Sequence, residues 1–195
     1  MTDNNSNLFF LSFHKHISLT EKEKEIVLSL FTHKKFRKRH YILQEGAVCR
    51  HETYIINGLT RTYEADKNGQ EHVLQFGVED WWVGDLYSFL TEIPSNYNIE
   101  CLENCEVMQI TRTSLDELYH LVPKTERYFR MLFQNAFVTA SGRIISNISR
   151  TALERYTEFR EKNPQVENRV TDHQIASYLG ITPQSLSRVR RQFGK

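Results

Sequence analysis

The sequence predicts an α+β chain: an N-terminal antiparallel β-barrel or jelly roll, a long helix, and a C-terminal (winged) helix-turn-helix. Three observations predict it. Between about residues 36 and 110, short β-prone runs alternate with turn signals. From about 124 to 149 an apolar stripe repeats at helical spacing without interruption. Residues 171–190 then hold two short amphipathic segments separated by Gly180-Ile181-Thr182-Pro183. The implied division is a barrel with N-terminal helices over 1–122, a long helix over 123–149 and a two-helix unit over 150–195.

Composition excludes several classes. The chain has 195 residues, 39% hydrophobic and 25% charged, ordinary values for a globular protein. It has no stretch of about 18 apolar residues, so no transmembrane helix and no membrane partner are expected. The polar start, residues 1–7, lacks the order of a signal peptide. Three cysteines, Cys49, Cys101 and Cys105, do not make a disulfide framework. A cytoplasmic location is therefore expected. The net charge of +1 conceals an asymmetry. Residues 143–195 carry 10 Lys/Arg against 5 Asp/Glu, whereas residues 1–142 carry 15 against 19. A basic tail on an acidic body predicts an anionic partner for the tail.

The elements follow in order. The first 35 residues read as helix: Thr20-x-x-Glu23 has capping-box spacing, and Ile26, Val27, Leu30 and Phe31 recur at 3.6-residue intervals. The basic cluster at 34–40 reads as a solvated helix end, with an anion site as its alternative. Strands are expected at 41–43, 54–56, 59–63, 72–76, 98–102 and 107–110. Asn57-Gly58 predicts a tight hairpin and Asp66-Lys67-Asn68-Gly69 a longer one. Ser114-x-x-Glu117 predicts the start of the next helix. On the long helix, Phe129, Leu132, Phe133, Ala136, Phe137, Ala140, Ile144, Ile145 and Ile148 form one broad stripe. It is too apolar for a helix resting on one side only, so it is read as packing on the barrel and on a second copy. A wholly intramolecular core helix is the alternative. A further helix over 151–162 ends at Asn163-Pro164.

The final segment is the most informative. Thr171-x-x-Gln174 is a capping box, Ile175 and Leu179 form a buried face, and Ala176 allows close helix crossing. Gly180 suits a turn residue at positive φ. Thr182 caps the next helix, with Pro183 in its first position. Leu186, Val189 and Phe193 turn back to the first helix, leaving Gln184, Arg188 and Arg191 outward. This is the geometry that inserts a second helix into the major groove of DNA. Arginine reads guanine O6 and N7, and glutamine reads adenine N6 and N7. Ser185 and Ser187 flank the tip. Arg190, Lys195 and the helix N-termini at Thr171 and Thr182 suit phosphates.

Here the sequence resembles the Crp–Fnr family of bacterial transcription regulators over about residues 20–191. Its barrel motifs are Gly46, Tyr54-Ile55-Ile56-Asn57-Gly58, Arg61, Asn68-Gly69-Gln70-Glu71, Phe76 and Val83-Gly84-Asp85-Leu86. Its C-terminal motif is Ile175-Ala176-Ser177-Tyr178-Leu179-Gly180-Ile181-Thr182-Pro183 with Ser185-Leu186-Ser187-Arg188. The resemblance implies a cyclic-nucleotide-binding-like barrel, a dimerisation helix with Phe129, Phe133, Ala136, Phe137, Ala140 and Ile144 at its interface, and a DNA-binding helix-turn-helix. It also implies partners: a pseudo-palindromic double-stranded operator, a second copy, RNA polymerase and a small-molecule effector. Members that bind cyclic nucleotides use a Gly-Glu…Arg-Ser/Thr-Ala cassette. Here Gly84-Asp85 stands for Gly-Glu, and Ser95-Asn96-Tyr97 for the second half. The phosphate-pairing arginine is missing, and no Lys or Arg lies between Asp85 and Arg112. Cyclic AMP and cyclic GMP are therefore expected to bind weakly or not at all, because a buried phosphate needs a charge partner. Trp81, Trp82, Tyr87, Phe89 and Tyr97 read either as an apolar effector pocket or simply as core. No cofactor is expected: an iron–sulfur cluster needs about four thiolates, and Cys101 and Cys105 read as small buried residues. Any wing must lie at 164–170.

The sequence thus predicts a homodimeric, sequence-specific DNA-binding transcription regulator and not an enzyme, with signals passing through residues 137–142, where Gly142 weakens the helix. Two alternatives stand beside it. One is a cyclic-nucleotide-responsive regulator. The other is a cupin-type barrel metalloenzyme, which needs His-x-His inside the barrel; His14-x-His16 lies before it, and His40, His51 and His72 are isolated.

Overall fold

The computed structural model describes the backbone of residues 3–193 and the side chains of 8–192. The expectations for Phe193 and Lys195 concern side chains outside the described residues. Two helices, α1 (Asp3–His14) and α2 (Glu21–Leu30), precede the strands. Thr20 and Glu23 cap α2 reciprocally, as their spacing predicts. The helical reading of the first 35 residues fails at Phe31, where the chain turns extended. β1 (Thr32–Phe36) follows, so the basic cluster lies on a strand and the turn after it, not on a helix end. Thr32, Lys34 and Lys35 are exposed and only His33 and Phe36 are half-buried, which fits an edge strand that charged side chains disguise in the sequence.

The remaining strands are β2 (Tyr41–Leu43), β3 (His51–Asn57), β4 (Thr60–Ala65), β5 (Glu71–Gly77), β6 (Trp82–Val83), β7 (Asn98–Cys101) and β8 (Cys105–Thr111). They form two antiparallel four-stranded sheets, ordered β1-β8-β3-β6 and β2-β7-β4-β5. This is a jelly roll. The hairpin expected at Asn57-Gly58 is absent, because β3 and β4 belong to different sheets. Gly58 instead carries the crossing at φ 109°, against the β8 backbone, where an added Cβ would lie 2.7 Å from the Asn104 carbonyl oxygen. The second turn is a true hairpin: β4 pairs with β5, and Asp66 accepts the Asn68 and Gln70 amides.

Helix α3 (Leu86–Thr91) interrupts the strands, and α4 (Arg112–Leu121) follows them. Thr111, not Ser114, caps α4 by accepting the Ser114 amide. Helix α5 (Lys124–Ser149) then runs unbroken through Gly142 to α6 (Ala152–Lys162). Residues 164–170 form turns, so no β-hairpin wing is built there. Helices α7 (Asp172–Leu179) and α8 (Pro183–Phe193) complete the described chain.

Two cores hold these elements. The first packs α1, the barrel and the start of α5 through Phe9, Phe13, Phe31, Tyr54, Trp82, Tyr128 and Phe129. Phe13 stacks on Tyr128 at 4.1 Å, and the Trp82 indole donates to the Tyr128 hydroxyl at 2.9 Å. Phe129 is thus consumed inside its own chain, contrary to its expected place at an interface between copies. The second core joins barrel residues Leu59, Tyr63, Val73 and Phe76 to Tyr156, Phe159, Ile175, Leu179 and Leu186 of the last three helices.

Candidate nucleic-acid interface

The last two helices owe their crossing to their sequence. Thr171 and Gln174 close a capping box on α7. Gly180 adopts φ 65° and ends the helix, and its amide reaches back to the Ala176 and Ser177 carbonyls. Thr182 accepts the Ser185 amide at 3.2 Å and starts α8. Ile175, Ala176, Leu179, Leu186 and Val189 are buried between the helices and the barrel. That burial fixes the opposite face of α8: Gln184, Ser187, Arg188 and Arg191 are exposed. The Arg188 guanidinium donates to the Ser185 hydroxyl at 3.1 Å, which steers it along the tip.

Arg190 is placed differently. It donates to Asp172 at 2.6 Å and to the Tyr156 hydroxyl at 3.1 Å, and lies 3.8 Å from Glu167. It braces α8 against α6 and α7, so its charge is already matched and is not free for phosphate. The Thr171 and Thr182 hydroxyls likewise serve as caps, leaving the helix N-termini to offer backbone N–H groups.

The two-helix unit is docked on the barrel by contacts that the sequence reading missed. Arg169 makes a double fork: two hydrogen bonds of 2.9 Å to Glu79, and bonds of 2.9 and 2.7 Å to Glu103. Those bonds raise its pKa above the ordinary arginine value. Burial opposes the ionisation of Glu79, but the bonds from Arg169 still hold its carboxyl below the usual range. Ser177 bridges the edge of β5, donating to the Glu71 carbonyl at 2.7 Å and accepting the Val73 amide at 2.9 Å. Arg143 lies over the Tyr178 ring and donates to the Val73 carbonyl at 3.0 Å. No local motif announces such pairs, which lie 35 to 106 residues apart.

In the barrel, Asp85 and Ser95 come together as the cassette comparison implies, but they bond each other. The Ser95 hydroxyl donates to Asp85 at 2.7 Å, and the same carboxylate caps α3 through the Ser88 amide. The Tyr97 amide donates to the Ser95 oxygen at 3.0 Å. Arg61, buried in the barrel, is held by Glu71 and Glu100. Gly84 makes room for Glu52: a Cβ there would lie 2.7 Å from the Glu52 carboxylate. Burial, with the Asp85 charge beside it, pushes Glu52 up to about 8. Glu52 Oε1 and Gln109 Oε1 are buried without a hydrogen-bond partner. The expected aromatic pocket is dispersed. Trp82 and Phe89 belong to the first core, Trp81 packs on the second, and Tyr87 is 62% exposed. A cavity of about 270 Å3 opens instead near Leu43, Cys49, His51, Gly84, Ile99 and Gln109. Among the described residues, no group of three or more His, Cys, Asp or Glu is arranged to hold a metal. No helix among them is long and apolar enough to cross a membrane.

The two-helix unit, the long helix and the two-sheet barrel together resemble known proteins. Residues 33–120 match the family model of the cyclic nucleotide-binding domain. FixK2 from Bradyrhizobium japonicum superposes with a TM-score of 0.71 at 19% identity, over 84% of each chain. The family match covers most of the barrel, and the chain as a whole has the Crp–Fnr fold. A second structure with this Crp–Fnr fold is CLP of Xanthomonas campestris, a c-di-GMP-responsive global regulator, which gives a TM-score of 0.71 at 15% identity over 90% of this chain and 92% of its own. The catabolite activator protein of Thermus thermophilus gives 0.58 at 18% identity over 91% and 84%. Comparison with curated protein sequences finds no match.

Proposed function

We propose that this chain is a homodimeric, sequence-specific, DNA-binding transcription regulator of the cytoplasm. The observation that carries the reading is the division of α8, with Leu186 and Val189 buried against α7 while Gln184, Arg188 and Arg191 face outward. Gln184 and Arg188 read base edges, and Arg191 and the N-termini of α7 and α8 meet phosphates. Dimerisation uses the far part of α5. Beyond the half-buried Phe133, the helix exposes Ala136, Phe137, Ala140, Ile144, Ile145 and Ile148, with Phe137 at 74% and Ile148 at 82%. An apolar face of this extent on one helix is matched by a second copy of the same helix. The two α8 helices then enter successive major grooves about 34–36 Å apart. RNA polymerase is the downstream partner of such a regulator.

Selection of bound sequences from a random duplex pool tests the reading, and recovery of a two-fold symmetric motif supports it. Arg188→Ala is expected to weaken binding to that motif by about 1–3 kcal/mol and to relax one base position. Unchanged discrimination by this variant would remove Arg188 from base reading.

The barrel is the effector domain, and its effector is not cyclic AMP. Asp85 and Ser95 satisfy each other, and the arginine that would neutralise a phosphate is absent. Calorimetric titration with cyclic AMP is expected to give no saturable heat at micromolar concentration, and a micromolar isotherm would overturn this. An effector acts only by favouring one orientation of the α7–α8 unit over another.

A further inference from the structure

A cavity of about 70 Å3 lies where α5, α6 and α7 meet. It is small against the roughly 300 Å3 at which pockets for drug-sized ligands begin, so only a small ion or molecule fits it. Arg143 of α5 and Arg155 and Lys162 of α6 line it, with Glu158 as the one carboxylate among the lining residues. Glu158 is already matched. It accepts Lys162 at 2.6 Å, Arg150 at 2.6 Å and the Ser146 hydroxyl at 2.9 Å. The bond from Lys162 foremost, then that from Ser146, holds its pKa below the usual carboxylate range against the opposing effect of burial.

The two guanidinium groups are not matched in this way. Among the described residues, neither Arg143 nor Arg155 has a carboxylate partner. Both lean on the end of α7: Arg143 donates to the Tyr178 carbonyl at 3.3 Å, and Arg155 to the Leu179 carbonyl at 3.1 Å. A helix end carries about half an elementary charge, too little for two cations. Burial accordingly pushes Arg143 below the ordinary arginine value. Both hydrogen bonds of Arg143 leave from one nitrogen, Nη2, whereas a guanidinium carries five N–H donors. Thr139 and Asn147 add a hydroxyl and an amide to the same lining.

We propose that this cavity binds a small free oxyanion, of the size of inorganic phosphate, between Arg143 and Arg155. Guanidinium groups suit such an ion because their planar donors pair with two of its oxygens at once. An ion held there joins α7 to α5 and α6 through one shared charge, so it favours this orientation of the two-helix unit over any in which the arginines part. Its binding is independent of the DNA-binding reading; only a consequence for DNA affinity rests on that reading.

Isothermal titration of the full chain with inorganic phosphate, in a chloride buffer of constant ionic strength and without DNA, tests the site. A saturable isotherm with one ion per chain is expected. Arg143→Gln and Arg155→Gln are each expected to weaken it by about tenfold or more, the loss of charge-assisted hydrogen bonds. Asn147→Asp leaves both arginines in place and sets a carboxylate on an exposed residue of the lining. It is expected to abolish the saturable heat with no loss of thermal stability, which separates lost binding from impaired folding. Absence of saturable heat at millimolar phosphate overturns the site, and so does equal phosphate affinity in all three variants, which places the ion elsewhere. A duplex affinity that falls in Arg143→Gln, while phosphate gives no heat with the unaltered chain, overturns it in favour of a DNA-backbone contact.

Discussion

Phe129→Ala is expected to lower the conformational stability of each subunit by about 3–5 kcal/mol, the usual cost of emptying a large aromatic site in a packed core. The ring is 1% exposed and meets Phe13, Trp82, Tyr119, Tyr128 and Phe133 edge-on or tilted, so the cavity it leaves has walls that cannot all collapse inward. Phe137→Ala, two turns further along α5, removes a ring that is 74% exposed in the single chain. Its effect is expected in the concentration dependence of assembly, not in the stability of the dilute subunit. Urea unfolding and analytical ultracentrifugation of the two variants check this division. Equal effects of both on assembly alone would return Phe129 to an interface.

Glu52→Gln is expected to reshape the dependence of stability on pH. Burial raises the Glu52 carboxyl from its ordinary value of 4.5 to about 8, so the folded chain keeps a proton that the unfolded chain releases. The stabilisation is fully present below about pH 4.5 and is lost as pH rises towards 8. At about 1.4 kcal/mol per pH unit, this one group subtracts on the order of 3 kcal/mol between about pH 5 and pH 8. The glutamine variant lacks that decline and is expected to be the more stable form at pH 8. Denaturant midpoints of both proteins at the two pH values measure it, and parallel pH profiles would show that Glu52 is not a proton-holding group.

What was legible in the sequence was whatever is decided locally. The capping boxes at Thr20 and Thr171, the left-handed Gly180 and the span of α5 depend on residues within one or two turns of each other. So does the outward placement of Gln184 and Arg188, since helical spacing alone separates them from Leu186 and Val189. The failures lie where distant partners decide. Asn57-Gly58 has the composition of a hairpin, but β8 competes for β3 and the chain crosses to the other sheet. The lysines of β1 hide a strand whose partner, β8, lies some 70 residues away. Arg190 follows Arg188 on the same basic helix, yet Asp172 claims it from the start of α7. Phe129 and Phe137 belong to one stripe in sequence, and only the aromatic cluster under α1 assigns the first to the interior.

The second core has a consequence for how the molecule can change state. Phe76 of β5, Phe159 of α6 and Tyr178 of α7 touch one another with ring centroids 5.3 to 6.3 Å apart. Helices α7 and α8 therefore have no hydrophobic interior that is theirs alone. They cannot swing free as a finished module, because doing so would wet rings that the barrel now shelters and would open the Arg169 fork. Their reorientation must proceed as a slide between two dry packings, and heating should dissolve the C-terminal helices and their neighbouring sheet in one cooperative step.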